Sequence, residues 1–181
     1  MPSGAKTVYV NYNGGLLFLQ SPEMNVPFDT ATYYPDNDNS GKWPIQVAMD
    51  NIKGNPTMKE FHDTIAKMDN HLISQATECA PEWFKTQQWF KKKGDVGEKV
   101  ADNYKPMVKV SLDSDTGEPD GRWPPKFNFK IIKRDGKVLC DCYDSNKNKL
   151  TTDGDGAINL ETMFKKGTKV KTILRCKGIW I

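Results

Sequence analysis

Several groups of residues in this chain have types and spacings that could do chemistry. Asp153-Gly154-Asp155-Gly156-Ala157-Ile158 resembles the middle of a calcium-binding EF-hand loop. Setting Gly156 at that loop's obligatory glycine and Ile158 at its apolar position places Thr151 first and Thr162 last, where carboxylates are needed. Glu161 misses the bidentate position by one residue and no helix precedes the segment, so it reads as a turn. Cys79, Cys140, Cys142 and Cys176 include one C-x-C pair, whereas structural zinc sites use two C-x₂₋₄-C pairs. Period-two alternation would put Cys140 and Cys142 on the same face of a strand, as small core residues. His62 and His71 are too far apart for an i, i+4 ligand pair. No metal or cofactor is expected. Gly14-Gly15 lacks the Lys-Ser/Thr of a phosphate loop, and no Ser, Cys or His arrangement forms a nucleophile set. Asp113, Asp115, Glu118 and Asp120 sit in a turn-rich stretch, while metal-dependent phosphoryl chemistry needs carboxylates projecting from rigid strands. The expectation is a protein that is not an enzyme. A divergent magnesium-dependent nucleic-acid enzyme using these carboxylates is the third reading.

The remaining candidates are cations interleaved with aromatics. WFKKK (Trp89 to Lys93) reads as a docked Trp-Phe pair followed by a solvated basic helix end. RWPPKFNFKIIKR (Arg122 to Arg134) is more informative. On a strand, Phe127, Phe129 and Ile131 share one face and Lys126, Asn128, Lys130 and Ile132 the other. Its hairpin partner carries Lys137 to Tyr143. A final strand places Lys169, Lys171, Ile173, Arg175 and Lys177 on one face. One apolar and one basic face suit a flexible polyanion: charges track phosphates while aromatic rings accept unstacked bases. The expected phosphate contacts are Lys109, Lys126, Lys130, Arg134, Lys171 and Arg175. Trp123, Tyr143 and the Tyr33-Tyr34 loop are the expected stacking platforms.

The elements that must position these residues follow from pattern and punctuation. Asn13-Gly14 between short β-prone runs predicts a hairpin, and Asp135-Gly136 predicts another. Ser21 to Gly41 is a Pro- and Asn-rich connection. Trp43 to Met49 alternates as a strand whose Pro44 fits only near its start or at an edge. Asn55-Pro56 caps and starts a helix. Its apolar stripe runs through Met58, Phe61, Ile65, Met68, Leu72, Ile73 and Ala76. Pro81 ends the pattern, and a second helix is predicted from Glu82 to Phe90. Strands follow at Lys105 to Leu112, Phe127 to Lys133, Lys137 to Tyr143 and Thr168 to Ile181. That last strand stays apolar to its end, so a continuation beyond Ile181 is expected.

Composition bounds the class. The 181 residues suit one domain, 1–181, with a helical insertion at about 55–93. Five Trp, eight Phe and six Tyr supply the bulk for a core without disulfides. No run approaches a membrane span, and residues 1–6 open no signal or transit peptide, so an intracellular protein with no membrane partner is expected. Residues 1–80 hold 5 Lys against 9 acids, a net −4, and residues 81–181 hold 21 Lys+Arg against 14 acids, a net +7. That asymmetry points the C-terminal half toward a polyanion. The expected fold class is α+β, mostly β, most simply a small antiparallel Greek-key barrel with an inserted helical hairpin.

The order of motifs carries a resemblance that spans nearly the whole chain. It runs through LFLQSPEMNVPF, KWPIQVAMD, a long helix, WF-K and KPMVKVSL, then WPPKFNFKI, KVLCDCYD, FKKGTKV and ILRCKGIWI. In this order the chain resembles the single-stranded DNA-binding proteins of nucleocytoplasmic large DNA viruses, of the algal virus and African swine fever virus type. The resemblance implies an oligonucleotide/oligosaccharide-binding (OB-like) barrel with a helical insertion. It also implies sequence-tolerant binding of single-stranded DNA in viral replication, recombination or repair. It places the protein among replication proteins in the host cytoplasm, at viral factories, or in the nucleus, with RNA as a further ligand. The contact residues rest on the strand-face argument alone. The competing reading is a protein-interaction module using the same aromatic and basic surface.

Overall fold

Turn chemistry sets the boundaries of the strands and helices in the computed structural model, which describes residues 6–29 and 41–180. These fall into two units. A helical unit takes in the described residues of Met1–Pro22, Asn55–Met107 and Thr172–Ile181, and a sheet unit takes in those of Glu23–Gly54 and Val108–Lys171. Tyr33, Tyr34 and Ile181 lie outside the described residues.

In the helical unit, β1 (Thr7–Tyr9), β2 (Asn11–Tyr12) and β3 (Gly15–Gln20) open the chain. Asn13 and Gly14 both take positive φ, 49° and 76°, and turn β2 into β3 as the sequence predicts. Asn55 then caps α1 (Pro56–Glu78), its Oδ1 accepting from the Met58 N–H at 3.2 Å. Beyond α1 the chain makes α2 (Ala80–Trp83), α3 (Gln88–Lys91) and α4 (Val96–Asn103). The second predicted helix is thus two short ones, and α4, capped by Asp95, extends the helical stretch to Asn103. Trp83, Phe84, Trp89, Phe90 and Val96 pack against buried Ala76, Ala80 and Val100, so the Trp89-Phe90 pair is docked as expected.

The stripe of α1 holds one residue that breaks its apolar rule. Met58, Phe61 and Ile65 are buried, and so is Asp69, one turn after Ile65. Its carboxylate accepts the Tyr104 hydroxyl at 2.6 Å and the Met107 N–H at 3.1 Å. Burial, with this bond to Asp69, holds the Tyr104 phenol protonated well above its ordinary range. Asp69 thereby ties the chain beyond α4 back to α1.

In the sheet unit, β4 (Met24–Asn25), β5 (Lys42–Ala48), β6 (Val108–Lys109), β7 (Lys126–Arg134), β8 (Lys137–Val138) and β9 (Lys169–Val170) form one antiparallel sheet. The order is β6-β7-β5-β4-β9, with β8 also on β7. Its spine is the β5–β7 register, from Lys42 opposite Ile132 to Ala48 opposite Lys126. Trp43, Ile45 and Val47 face Phe127, Phe129 and Ile131 on the apolar side, with Met24 also buried. Leu160, in the short helix α5 (Leu160–Met163), and Phe164 after it are buried as well. Lys133 N–H donates to the Gly41 carbonyl, so Pro44, three residues on, occupies a non-hydrogen-bonded position. Among the described residues β4 pairs with β5 only at Ala48 and no strand lies beside Pro44 on that edge, which answers the restriction read from the sequence.

The mixture of helix and strand and the antiparallel pairing agree with the sequence reading, but the described residues hold about as much helix as strand rather than mostly strand, and among them no sheet closes into a barrel. The predicted final strand is interrupted after Val170 and again at Lys177. Its pieces, β9, β10 (Ile173–Cys176) and β11 (Gly178–Trp180), pair with β4, β3 and β1 respectively. The predicted strands at Lys105 to Leu112 and Lys137 to Tyr143 shrink to β6 and β8.

Asp69→Ala should lower stability by about 2–4 kcal/mol, because it leaves a hydroxyl and an amide without their charged acceptor. Tyr104→Phe should cost less, about 1–2 kcal/mol. Denaturant unfolding followed by tryptophan fluorescence measures both, and equal effects would contradict the shared-acceptor role.

Candidate nucleic-acid interface

The register that sends Phe127 and Ile131 into the core sends alternate residues of β7 to the opposite face. Lys126, Asn128, Lys130, Ile132 and Arg134 therefore share that face with Lys42, Pro44, Gln46 and Ala48 of β5. Gln46 Nε2 donates to Asn128 Oδ1 at 3.2 Å, which fixes the middle of the row. Lys109 of β6 stands directly opposite Lys126, and Lys137 of β8 directly opposite Arg134. One row, Lys109–Lys126–Ala48–Asn25–Lys169, crosses five strands with a cation at each end.

Two directly opposed like-charge pairs on one sheet face cost stability rather than add it. Neighbours offset part of that cost. Lys126 Nζ lies 4.8 Å from the centre of the Phe28 ring, Lys137 pairs with Asp153 at 2.8 Å, and Lys169 pairs with Glu23 at 3.1 Å. The ammonium of Lys137 holds the Asp153 carboxyl below its ordinary range. Among the described residues Lys109, Lys130 and Arg134 form no ion pair, and all three are exposed. Three uncompensated cations on a rigid strand face are what phosphate oxygens can approach.

Of the residues picked from sequence, the structure brings together Lys109, Lys126, Lys130 and Arg134. It does not bring the others onto this face. Arg175 lies in the helical unit, opposite Phe18 on β10, and Lys171 follows the end of β9. The interruptions of the last strand therefore undo the second basic face read from the sequence. Trp123 is exposed in the loop leading into β7, its N–H donating to Ser111 Oγ at 3.2 Å. Tyr143 is exposed and bridged to Lys149 in a separate turn. Tyr33 and Tyr34 lie outside the described residues. Sequence reading missed Lys42, Lys137 and Phe28. Alternation along KWPIQVA could have placed Lys42 opposite the apolar side, but nothing in the sequence places Phe28 under Lys126.

The other candidate chemistry resolves into turns. Asp113 accepts backbone N–H groups of Thr116 and Asp115, and Asp120 accepts the Ser111 hydroxyl and the Arg122 N–H. These bonds hold both carboxyls below their ordinary range, Thr116 leading for Asp113 and Ser111 for Asp120. Asp153 to Ile158 forms a turn closed by Ala157 N–H on the Gly154 carbonyl. No three potential metal ligands cluster among the described residues. Comparison of the chain with known protein families, curated proteins and solved structures finds no match.

One expectation is reversed. Cys140 and Cys142 are not core residues, because β8 ends at Val138 and the chain bends before them. Cys140 is exposed and Cys142 half-buried, with their sulfurs 3.8 Å apart. The hydrogen bond between them brings the Cys142 thiol down to about 7 and raises that of Cys140. Since the thiolate is the reactive form, alkylation of Cys142 by iodoacetamide should rise with pH through about 7, ahead of Cys140. Cys140→Ala should move that profile upward. Peptide mass mapping across pH checks both, and coincident profiles for the two thiols would contradict the shared bond.

Proposed function

We propose that this chain binds single-stranded DNA without catalysis and without sequence preference, in the replication, recombination or repair of a large DNA virus. The observation that carries the reading is the two pairs of opposed cations, Lys109 with Lys126 and Arg134 with Lys137, on the solvent side of one sheet. Folding gains nothing from that juxtaposition, whereas a polyanion does. The resemblance in motif order to the single-stranded DNA-binding proteins of nucleocytoplasmic large DNA viruses points the same way. In this reading Lys109, Lys126, Lys130 and Arg134 meet phosphates, with Lys171 and Arg175 contributing beyond the sheet face. Trp123, Tyr143 and the Tyr33-Tyr34 loop stack bases.

The same reading takes the fold as a derivative of the OB barrel with a helical insertion. Support comes from the antiparallel pairing throughout and from the helical stretch between β5 and β6. RNA is an acceptable ligand on the same chemistry, and replication proteins are the expected protein partners, in host cytoplasmic factories or the nucleus. Among the described residues no helix is long and apolar enough to cross a membrane.

Fluorescence anisotropy with labelled single- and double-stranded oligonucleotides at two salt concentrations, with and without magnesium, tests the reading, followed by a gel for cleavage. Tight single-strand binding that falls steeply with salt, without cleavage, is expected. Lys130→Glu should weaken binding roughly tenfold and flatten the salt dependence, leaving stability within about 0.5 kcal/mol. Salt-insensitive binding to a protein partner, or magnesium-dependent cleavage, would replace this reading.

A further inference from the structure

The helical unit carries aromatic surface that the basic sheet face does not use. Along β3, Leu16 and Phe18 point to the same side, and on β10 Arg175 stands directly opposite Phe18, with Ile173 opposite Gln20. On the neighbouring pair, Trp180 of β11 stands opposite Thr7, so it shares a face with Tyr9 two residues along β1. Leu16, Phe18, Ile173, Tyr9 and Trp180 are each more than half exposed. Opposite Tyr9 stands Gly178, where a Cβ would run into the Val8 carbonyl oxygen. The close approach of β1 and β11 thus requires a glycine, and it leaves the Tyr9 ring with no side chain across from it. Val10 alone joins β1 to β2, and Lys177 alone joins β10 to β11, so both strand pairs run on from the same two stretches of chain.

The charge on these stretches decides between occupants. Residues 6–22 and 172–180 contain Lys6, Arg175 and Lys177 and no Asp or Glu. A surface for a protein partner of ordinary composition gains little from excluding every acid. A surface for a strand with stackable aromatic bases and anionic phosphates gains from it at each position. Rings that lie open on short strands, with a guanidinium directly beside one of them, fit the alternation of base and phosphate in an unpaired nucleic acid.

We propose that Phe18 on β3, and the Tyr9 and Trp180 pair on β1 and β11, are base-stacking positions for single-stranded nucleic acid, with Arg175 beside Phe18 as a phosphate contact. This rests on the single-strand reading above and adds to it a second contact surface, which works through rings rather than charge. The two contributions separate in their salt dependence. Loss of a ring lowers affinity and leaves the salt slope unchanged, whereas loss of a cation flattens the slope.

The test measures binding of an oligothymidylate of about 30 nucleotides, and of a matching strand of abasic residues, to the full chain and to Phe18→Ala, Phe18→Tyr, Trp180→Ala and Arg175→Ala. Circular dichroism checks that each variant keeps its fold. Phe18→Ala and Trp180→Ala should each weaken oligothymidylate binding roughly 5- to 150-fold at constant salt slope. Phe18→Tyr should bind like the parent, and all three ring variants should bind the abasic strand as the parent does. Arg175→Ala should flatten the slope. If the parent binds tightly and Phe18→Ala and Trp180→Ala bind equally well, the stacking proposal is overturned and the basic-face reading stands. If the parent does not bind single strands at all, both fall. Loss of self-association in Phe18→Ala with unchanged oligonucleotide affinity assigns the surface to a second copy of the chain and also overturns the proposal.

Discussion

Everything in the sheet unit depends on the β5–β7 register. Seven opposed pairs commit Trp43, Ile45 and Val47 to one side together with Phe127, Phe129 and Ile131. A slip by one residue would drive Lys126 and Lys130 into the core and expose the aromatics, so the alternative is excluded by the cost of burying charge. The cationic face is the other half of the same constraint. The lysines need no outward signal of their own, because the phenylalanines between them have already taken the only apolar side.

That dependence explains why part of this chain is readable and part is not. The two Xaa-Gly turns, the Asn55-Pro56 helix start and the alternation of Phe127 to Ile132 are local, and local chemistry decides them. Where the outcome turns on distant partners, the sequence misleads. Thr168 to Ile181 alternates well enough to be one strand, yet β4, β3 and β1 each claim a piece of it, and no local feature announces three partners. Lys137 to Tyr143 likewise alternates, but its pairing with β7 ends at Val138, with one further bond from the Leu139 N–H to the Ile132 carbonyl, which leaves Cys140 and Cys142 outside the sheet. Asp69 was concealed for another reason: its place on the apolar stripe of α1 makes sense only once Tyr104 and Met107 arrive from beyond α4.

The candidate site divides along the same line. The lysines of β7 follow from alternation within one strand, and the structure keeps them together. Arg175 was grouped with them through the assumed continuity of the last strand, and the break after Val170 with the change of partner sends it to β3. The exposed rings of β1, β3 and β11 pass unnoticed in sequence because short apolar runs normally signal burial. Only the register and the exposure in the fold separate Phe18, which is open, from Leu17 and Leu19 on the other side of the same strand.

The chain passes between the two units four times, after residues 22, 54, 107 and 171. The strands that open the sequence, β1 and β3, find their partners β11 and β10 more than 150 positions later. During synthesis β1, and the edge of β3 that β2 does not cover, must wait for their partners until almost the whole described chain has emerged from the ribosome. Their glycine-rich turn and absence of acids then leave apolar edges exposed to other nascent chains. Contacts of such long separation are slow to form and prone to misassembly. The arrangement makes yield on expression sensitive to temperature and synthesis rate, and it denies either unit a contiguous stretch of sequence from which it could be produced alone.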